Sequence, residues 1–279
     1  MRIAIATCRP LPEPDVDEAL LLEAMEKHGI QGEMTAWDEP KVDWSLFDAC
    51  VVRSTWNYLD DPNGFASWMS STSAKTILLN PAAAMQPNIH KRYLLDLESV
   101  GVEIVPTVIF EQGSTPSVHC FPGRPIVVKP AISAGSYLTE MFDCGERALA
   151  TQFLHEHLKD QDMMVQPYLE SVEEGDEIAW CWIDGEVTHG VRKSPRFHEG
   201  CESVSEAVFP SQTDTDIIKR VMAKAPPGLL YARIDVMREG ERWLLSELEL
   251  IEPSLFFKQN PSALDKFVLA LKDRVSSAS

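Results

Sequence analysis

The chain is poor in positive charge: 25 Lys and Arg stand against 43 Asp and Glu, a formal net charge of -18 over 279 residues. A surface of that sign repels phosphate backbones and anionic lipid, which argues against nucleic acid and membranes as partners. Cysteine is sparse as well. The six thiols, Cys8, Cys50, Cys120, Cys144, Cys181 and Cys201, are scattered with no C-x-x-C and no Cys/His pairing. That excludes a zinc ribbon or a disulfide framework and reads as reduced thiols in a cytoplasmic protein. No apolar run approaches the length of a membrane span. The N-terminus opens into a strand rather than a basic segment followed by an apolar one, so no secretory leader is expected. Internal repeats and long linkers are missing, and so are the phosphate-binding patterns G-x-x-x-x-G-K-[ST] and G-x-G-x-x-G. Any nucleotide must be held in another way.

What is present is ordinary globular composition, 44% hydrophobic and 24% charged, in a chain long enough for two or three lobes. Met1 to Thr7 reads as a buried strand, followed by a helix with Asp15 and Glu18 at capping-box spacing and Gly29 as its stop. Further strands at Glu33 to Trp37, Ala49 to Val52 and Thr76 to Leu79, with a short helix near Phe65 to Ser70, predict a parallel α/β unit ending near Asn80 and Pro81. Ligands of such sheets collect beyond the carboxyl ends of the strands. Two segments there carry unusual chemistry: Cys8 to Pro12 with Arg9, and the loop Arg53 to Tyr58. The latter offers a guanidinium at Arg53, a hydroxyl at Thr55, an indole at Trp56 and an amide at Asn57. These four and Arg9 are candidates for holding a small substrate.

Asn88 is placed to cap a second helix that carries Lys91, Tyr93, Leu94 and Leu97 and stops at Gly101. Ile126 to Pro130 is an apolar strand ending in Lys129-Pro130, and it leads into a small-residue loop with Ser133, Gly135 and Ser136. An ammonium beside a loop whose backbone N–H groups can approach closely suits phosphate, although a lysine before a turn also occurs as plain surface. A helix over Glu146 to Lys159 places His155 and His157 on different sides, a poor metal pair. Asp184-Gly185 predicts a tight hairpin between Ile178 to Ile183 and Val187 to Val191. His189 on its second strand reads as structural more readily than as a base. Arg196 to Val208, without periodicity, is a candidate lid. A helix follows near Asp214 to Lys224, and a closing helix is expected to be capped by Ser262.

The densest chemistry lies in Tyr231 to Leu255. Strands Leu229 to Met237 and Trp243 to Leu250 flank a polar turn centred on Gly240, which would set Arg233 opposite Glu247. Strand alternation then gathers Arg233, Asp235, Glu247 and Glu249 on one side. Three carboxylates repel one another unless a cation joins them, and oxygen ligands suit Mg²⁺ or Mn²⁺. The plain alternative leaves Glu247 and Glu249 on the wet face of an amphipathic strand.

This stretch resembles the metal-binding end of the ATP-grasp superfamily in its glutathione-synthetase-like branch, where an Asp on one strand and a Glu-x-Asn on the next hold two magnesium ions. The matching residues are Asp235, Glu247 and Glu249, so Glu replaces the usual Asn. The resemblance implies an N-terminal substrate-side domain at 1–87, a central ATP subdomain at 88–168 and a C-terminal subdomain with the metal site at 169–279. It implies ATP contacts from Lys91, Lys129, Ser133, Gly135 and Ser136, a hinge at Gln166, Tyr168 and Leu169 that reads adenine, and Asp176 on ribose. Lys193, with Arg192 beside it on the substrate side, would reach the terminal phosphate. Lys129, Lys193 and Arg233 would neutralise charge on the phosphoryl in transit. The implied activity is an ATP- and Mg-dependent ligase that activates a carboxylate for attack by an amine on an amino-acid-like substrate. Arg-Ser-Thr-Trp-Asn-Tyr, Arg192-Lys193 and Glu-Leu-Glu-Leu-Ile-Glu-Pro are most similar to the O-ureidoserine cyclo-ligases that form cycloserine, so ring closure is one alternative. Gly-Asp-Glu-Ile-Ala before Trp180 and Pro-Arg-Phe-His after Lys193 depart from the residues expected on the substrate side. A nucleotide-binding regulator without turnover is the other alternative, and a homodimer is compatible with all three.

Overall fold

The computed structural model describes residues 1–135, 137–173, 175–193 and 204–278. It opens with β1 (Arg2–Thr7), α1 (Glu18–Lys27), β2 (Gln31–Ala36), β3 (Ala49–Ser54), α2 (Pro62–Ser73) and β4 (Ile77–Leu79). Two short helices, α3 (Ala82–Asn88) and α4 (Tyr93–Ser99), lead to β5 (Val108–Phe110), β6 (Ile126–Pro130), β7 (Glu140–Phe142), α5 (Arg147–His157) and β8 (Met163–Pro167). The chain ends with β9 (Glu177–Ile183), β10 (Glu186–Arg192), α6 (Gln212–Met222), β11 (Tyr231–Glu239), β12 (Arg242–Glu249) and α7 (Pro261–Ala278).

These strands build three four-stranded sheets, ordered β2-β1-β3-β4, β5-β8-β6-β7 and β10-β9-β11-β12. The first is parallel throughout and the other two antiparallel. The chemistry of the strands explains the difference. β1 and β3 carry apolar runs, residues 3–6 and 49–52, buried on both faces, as a sheet covered by helices requires. The antiparallel strands join through tight turns such as Asp184-Gly185, whose positive φ values of 46° and 93° suit a left-handed turn.

One face of the parallel sheet shares a core with the third sheet and α7: Ile3, Ile5 and Val51 pack with Ala179, Tyr231, Phe257 and Phe267. The opposite face closes over an aromatic group in which Phe65 stacks on Tyr58 at 5.0 Å and on Trp68 at 5.2 Å. Asn80 ties the first and third sheets together. Its buried amide donates to the carbonyls of Tyr231 at 2.8 Å and Leu250 at 2.9 Å, and its oxygen accepts from Leu230 N–H at 2.7 Å. Among the described residues no helix is long and apolar enough to cross a membrane.

Three helix starts differ from the sequence expectation, two of them because tertiary partners take the side chains. Asp17, not Asp15, precedes α1, and its carboxylate accepts from Phe257 and Lys258 N–H instead of capping the helix. Asn88 closes α3 and bridges to the Leu248 carbonyl and Leu250 N–H, so Lys91 lies in the connection before α4 rather than on a helix. Ser262 lies inside α7, donating to the side chain of Asn260. Arg53 and Ser54 belong to β3 rather than to the loop after it, since the β1 pairing extends to Ser54.

Candidate active site

The hairpin of β11 and β12 turns through Gly240 and Glu241, with Glu239 opposite Arg242. Continued without interruption, that register would set Asp235 opposite Ser246 and send Glu247 and Glu249 to the far face. A shift between Asp235 and Val236 leaves Ser246 as an extra residue, its hydroxyl donating to the Asp235 carbonyl at 3.0 Å. Asp235 therefore faces Glu247, and Arg233 faces Glu249 rather than Glu247 as the centred turn predicts. The bulge restores all four charges to one face. Ligand oxygens of Asp235, Glu247 and Glu249 lie within 4.8 Å of one another. The two glutamates are not the wet face of a strand, for each side chain is only 22% exposed.

Cations surround this cluster. Arg233 forks onto Asp235 at 2.8 and 2.9 Å and reaches Glu249 at 2.7 Å. Lys193, at the end of β10, meets Asp235 at 3.1 Å and Glu177 at 3.0 Å. Lys91 meets Glu247 at 2.8 Å and donates to the Ser133 carbonyl at 2.6 Å, joining the cluster to the small-residue loop after β6. The Lys129 side chain has no hydrogen bond or ion pair among the described residues, its backbone being paired with β8. Burial lowers its pKa, against the pull of Glu247 and with the push of Lys91 and Lys193. An ammonium left without a protein partner beside this loop can meet an anionic ligand.

The carboxylates differ in proton affinity. Burial pushes Asp235 up, but Arg233 and Lys193 outweigh it and hold the group at about 2. Glu247 is likewise lowered, burial being overcome by Lys91 and Lys129. Glu249 rises to about 8 through burial, opposed by Arg233 and reinforced by Glu247 and Glu252. Two oxygen ligands kept anionic beside a third that a cation would ionise suit a hard divalent ion, so the donor set fits magnesium or manganese.

The remaining candidates fall around this centre. Gly135 adopts a φ of 58°, readily open to a residue without Cβ, while Ser136 lies outside the described residues. Gln166 donates to Thr107 at 2.9 Å, Tyr168 donates to Glu173 at 2.8 Å, and Leu169 is buried. Asp176 pairs with Arg192 at 3.3 Å and Arg238 at 3.7 Å. On the N-terminal side, Thr55 is buried with an unpartnered hydroxyl. Trp56 is half-buried, and Asn57 is engaged with Trp37 at 2.6 Å and Asp38 at 2.7 Å. Arg53 is buried and donates to the Pro253 carbonyl at 2.9 Å, so it supports the segment after β12 rather than projecting from a loop. Arg9 lines a separate depression with Thr35 and Asp38. His189 is fully buried, its ring nitrogens engaged by Thr188 and the Phe256 carbonyl, as the structural reading expects. Of the candidate lid, 196–203 lie outside the described residues, while Val204 bridges to Lys193 and Val208 to Gly190.

Sequence reasoning missed part of the cleft. Tyr58, Asn88, Tyr93, Ile251 and Glu252 line it together with Lys91, Ser133, Glu247 and Glu249. The signal was the third acid of Glu-Leu-Glu-Leu-Ile-Glu, one position beyond what strand alternation from Glu249 would keep on the same face.

One antiparallel sheet brings a lysine and a small-residue loop, and the other brings carboxylates, to a shared cleft. That is the arrangement of the ATP-grasp fold, which this chain adopts, and the chain is an enzyme. Within it, residues 3–80 match the family described as D-cycloserine synthetase DcsG, N-terminal domain. The chain is 29% identical to the cycloserine biosynthesis protein DcsG of Streptomyces lavendulae over 283 residues, 94% of each sequence. Its fold matches the crystal structure of D-cycloserine synthetase DcsG with a TM-score of 0.87 at 26% identity, covering 99% of this chain and 100% of the other. The D-alanine–D-alanine ligase of Bacillus anthracis, solved with ATP, matches at 0.68 and 12% identity over 100% and 98% of the two chains.

Proposed function

We propose that the protein uses ATP and a divalent cation, Mg²⁺ or Mn²⁺, to phosphorylate the carboxylate of a small amino-acid-like substrate, which an amine then converts to an amide. The observation that carries this reading is the meeting of Asp235, Glu247 and Glu249 with Arg233, Lys193 and Lys91, next to the unpartnered Lys129. A carboxylate oxygen of the substrate attacks the γ-phosphorus and ADP leaves. The amine nitrogen then attacks the acyl carbon, phosphate departs and the nitrogen gives up a proton. Lys129 and Lys193 hold the phosphate oxygens, and Arg233 orients the carboxylates and offsets charge on the phosphoryl group. When a divalent cation is bound by Asp235, Glu247 and Glu249, the chemistry it supplies is neutralisation of that same charge. No protein nucleophile is needed.

A second reading, in which carboxylate and amine belong to one molecule and the product is a ring, is favoured by the full-length likeness to the cycloserine protein and the match over residues 3–80. One assay separates the two. Purified protein is given ATP, Mg²⁺ and a panel of amino acids, paired amino acids and O-ureidoserine, with ADP release and product mass recorded. A product equal to two substrates less water means ligation, and one substrate less a small fragment means ring closure. No ADP release with any panel member overturns both.

A further inference from the structure

The cleft beside the carboxylate cluster contains one acid that the ATP chemistry does not use. Glu252 follows β12 by three residues and is only 8% exposed. It lines the cleft between Tyr58 of the N-terminal segment and Lys91, Glu247 and Glu249. Its carboxylate has no hydrogen bond or ion pair among the described residues. Every other acid in the cluster has a cation: Glu247 has Lys91, Glu249 has Arg233, and Asp235 has Arg233 and Lys193. Three cations also act on Glu252, Arg233 most and then Lys91 and Arg53, but each has acceptors of its own: Asp235 and Glu249, Glu247, and the Pro253 carbonyl. The hydroxyl of Tyr58, in the same wall and buried, is likewise without a hydrogen bond among the described residues. A buried acid without a cation is unfavourable in the free protein and becomes favourable when a ligand brings one.

We infer that Glu252 is the recognition point for the ammonium group of the substrate, and that Tyr58 walls the same subsite. The inference rests on the reading of the protein as a carboxylate-activating ATP-grasp enzyme and deepens it by naming what selects an amino-acid-like substrate. A buried carboxyl group facing the cleft without a hydrogen bond or ion pair of its own favours a cation over a neutral group of the same shape. Its place between the N-terminal segment and the metal-side hairpin suits a substrate lying across those two parts. Glu252 is a specificity residue here, with no proton transfer assigned to it.

The test pairs O-ureidoserine, as both enantiomers, with 3-(ureidooxy)propanoate, which lacks only the α-amino group; D-alanine and propanoate form a second pair. ADP release is measured with wild type and Glu252→Gln across substrate, ATP and Mg²⁺ concentrations. Wild type is expected to favour the amino member of a pair in kcat/KM by about tenfold or more, and the variant to lose most of that preference. ATP KM should stay within about twofold, because Glu252 makes no hydrogen bond or ion pair to Lys91, Lys129 or Lys193, and the Mg²⁺ requirement should move less than the substrate preference, since Glu252 meets Glu249 only through its charge. Wild type that treats the two members alike overturns the inference without any variant, so a poorly folding Gln protein does not protect it. A variant that keeps the preference, or that shifts the Mg²⁺ requirement instead, assigns Glu252 to something else and overturns it too. Wild type silent with every amino probe overturns the underlying reading, and this inference with it.

Discussion

Asp235 shows what burial asks of a single residue. Its side chain is 1% exposed, and it remains an anion because Arg233 forks onto it and Lys193 reaches its second oxygen. The folded value of about 2 lies below the ordinary 3.8, so the pairing stabilises the fold above the ordinary value and is lost as pH falls through the folded one. In metal-free protein, Asp235→Asn removes the charge while keeping the shape, and it leaves Arg233 with Glu249 alone. We expect a loss of about 3 kcal/mol near neutral pH, the order measured when a buried pair loses one partner. Wild type should surrender that advantage as the pH is lowered from the ordinary carboxylate range toward 2, so the two melting temperatures converge. Thermal melts in chelator across that range are the check. A gap that stays constant or widens on acidification would show that shape, not charge, accounts for the difference.

At the scale of elements, the site depends on a single extra residue. Ser246 is the bulge that returns Glu247 and Glu249 to the face of Arg233 and Asp235 after a two-residue turn has set the opposite parity. Deleting it should abolish cation-dependent ADP release by orders of magnitude, because the carboxylates move to the other side of the sheet. Ser246→Ala keeps the bulge and loses one hydrogen bond, so it should retain activity and cost about 1 kcal/mol. Circular dichroism and melting on both variants separate a misplaced site from an unfolded one; a folded deletion variant with normal activity would remove the bulge from the argument. The same bulge marks the limit of what the sequence made legible. Alternation put the four charges together, and the apolar runs and helix stops located most strands and helices, though not α3 or β7. The register itself was hidden, because a bulge has no composition signal beyond a small polar residue in a strand. Asp17 and Asn88 were hidden for a related reason: each had a local capping alternative, and a partner distant in sequence won the side chain.

Across the whole molecule, the N-terminal sheet and the carboxylate-bearing hairpin are tied through a few buried polar bonds. Tyr231 O–H donates to the carbonyl of Ile251 at 2.7 Å and sits 2.9 Å from that of Val52, so strand β3 is held against the segment that follows β12. Arg53 makes the same connection from the other side, donating to the Pro253 carbonyl while its guanidinium stands 6.0 Å from the Tyr231 ring and 5.7 Å from the Phe257 ring. Glu252 lies between the residues so held. We expect Arg53 to act as a positioning residue for the segment that borders the cleft. Arg53→Lys keeps the charge but replaces a flat, forked donor with a compact ammonium that cannot both stack and reach the same carbonyl. We expect the KM of the amino-acid-like substrate to rise about tenfold, the equivalent of one lost charge-assisted hydrogen bond, with kcat less affected. ATP affinity should remain within about twofold, since Lys91, Lys129 and Lys193 are held by other elements. Nucleotide titration beside substrate kinetics makes the distinction. A parallel fall in ATP affinity would mean that this contact organises the entire cleft, and a variant with unchanged constants but a lower melting temperature would confine Arg53 to stability.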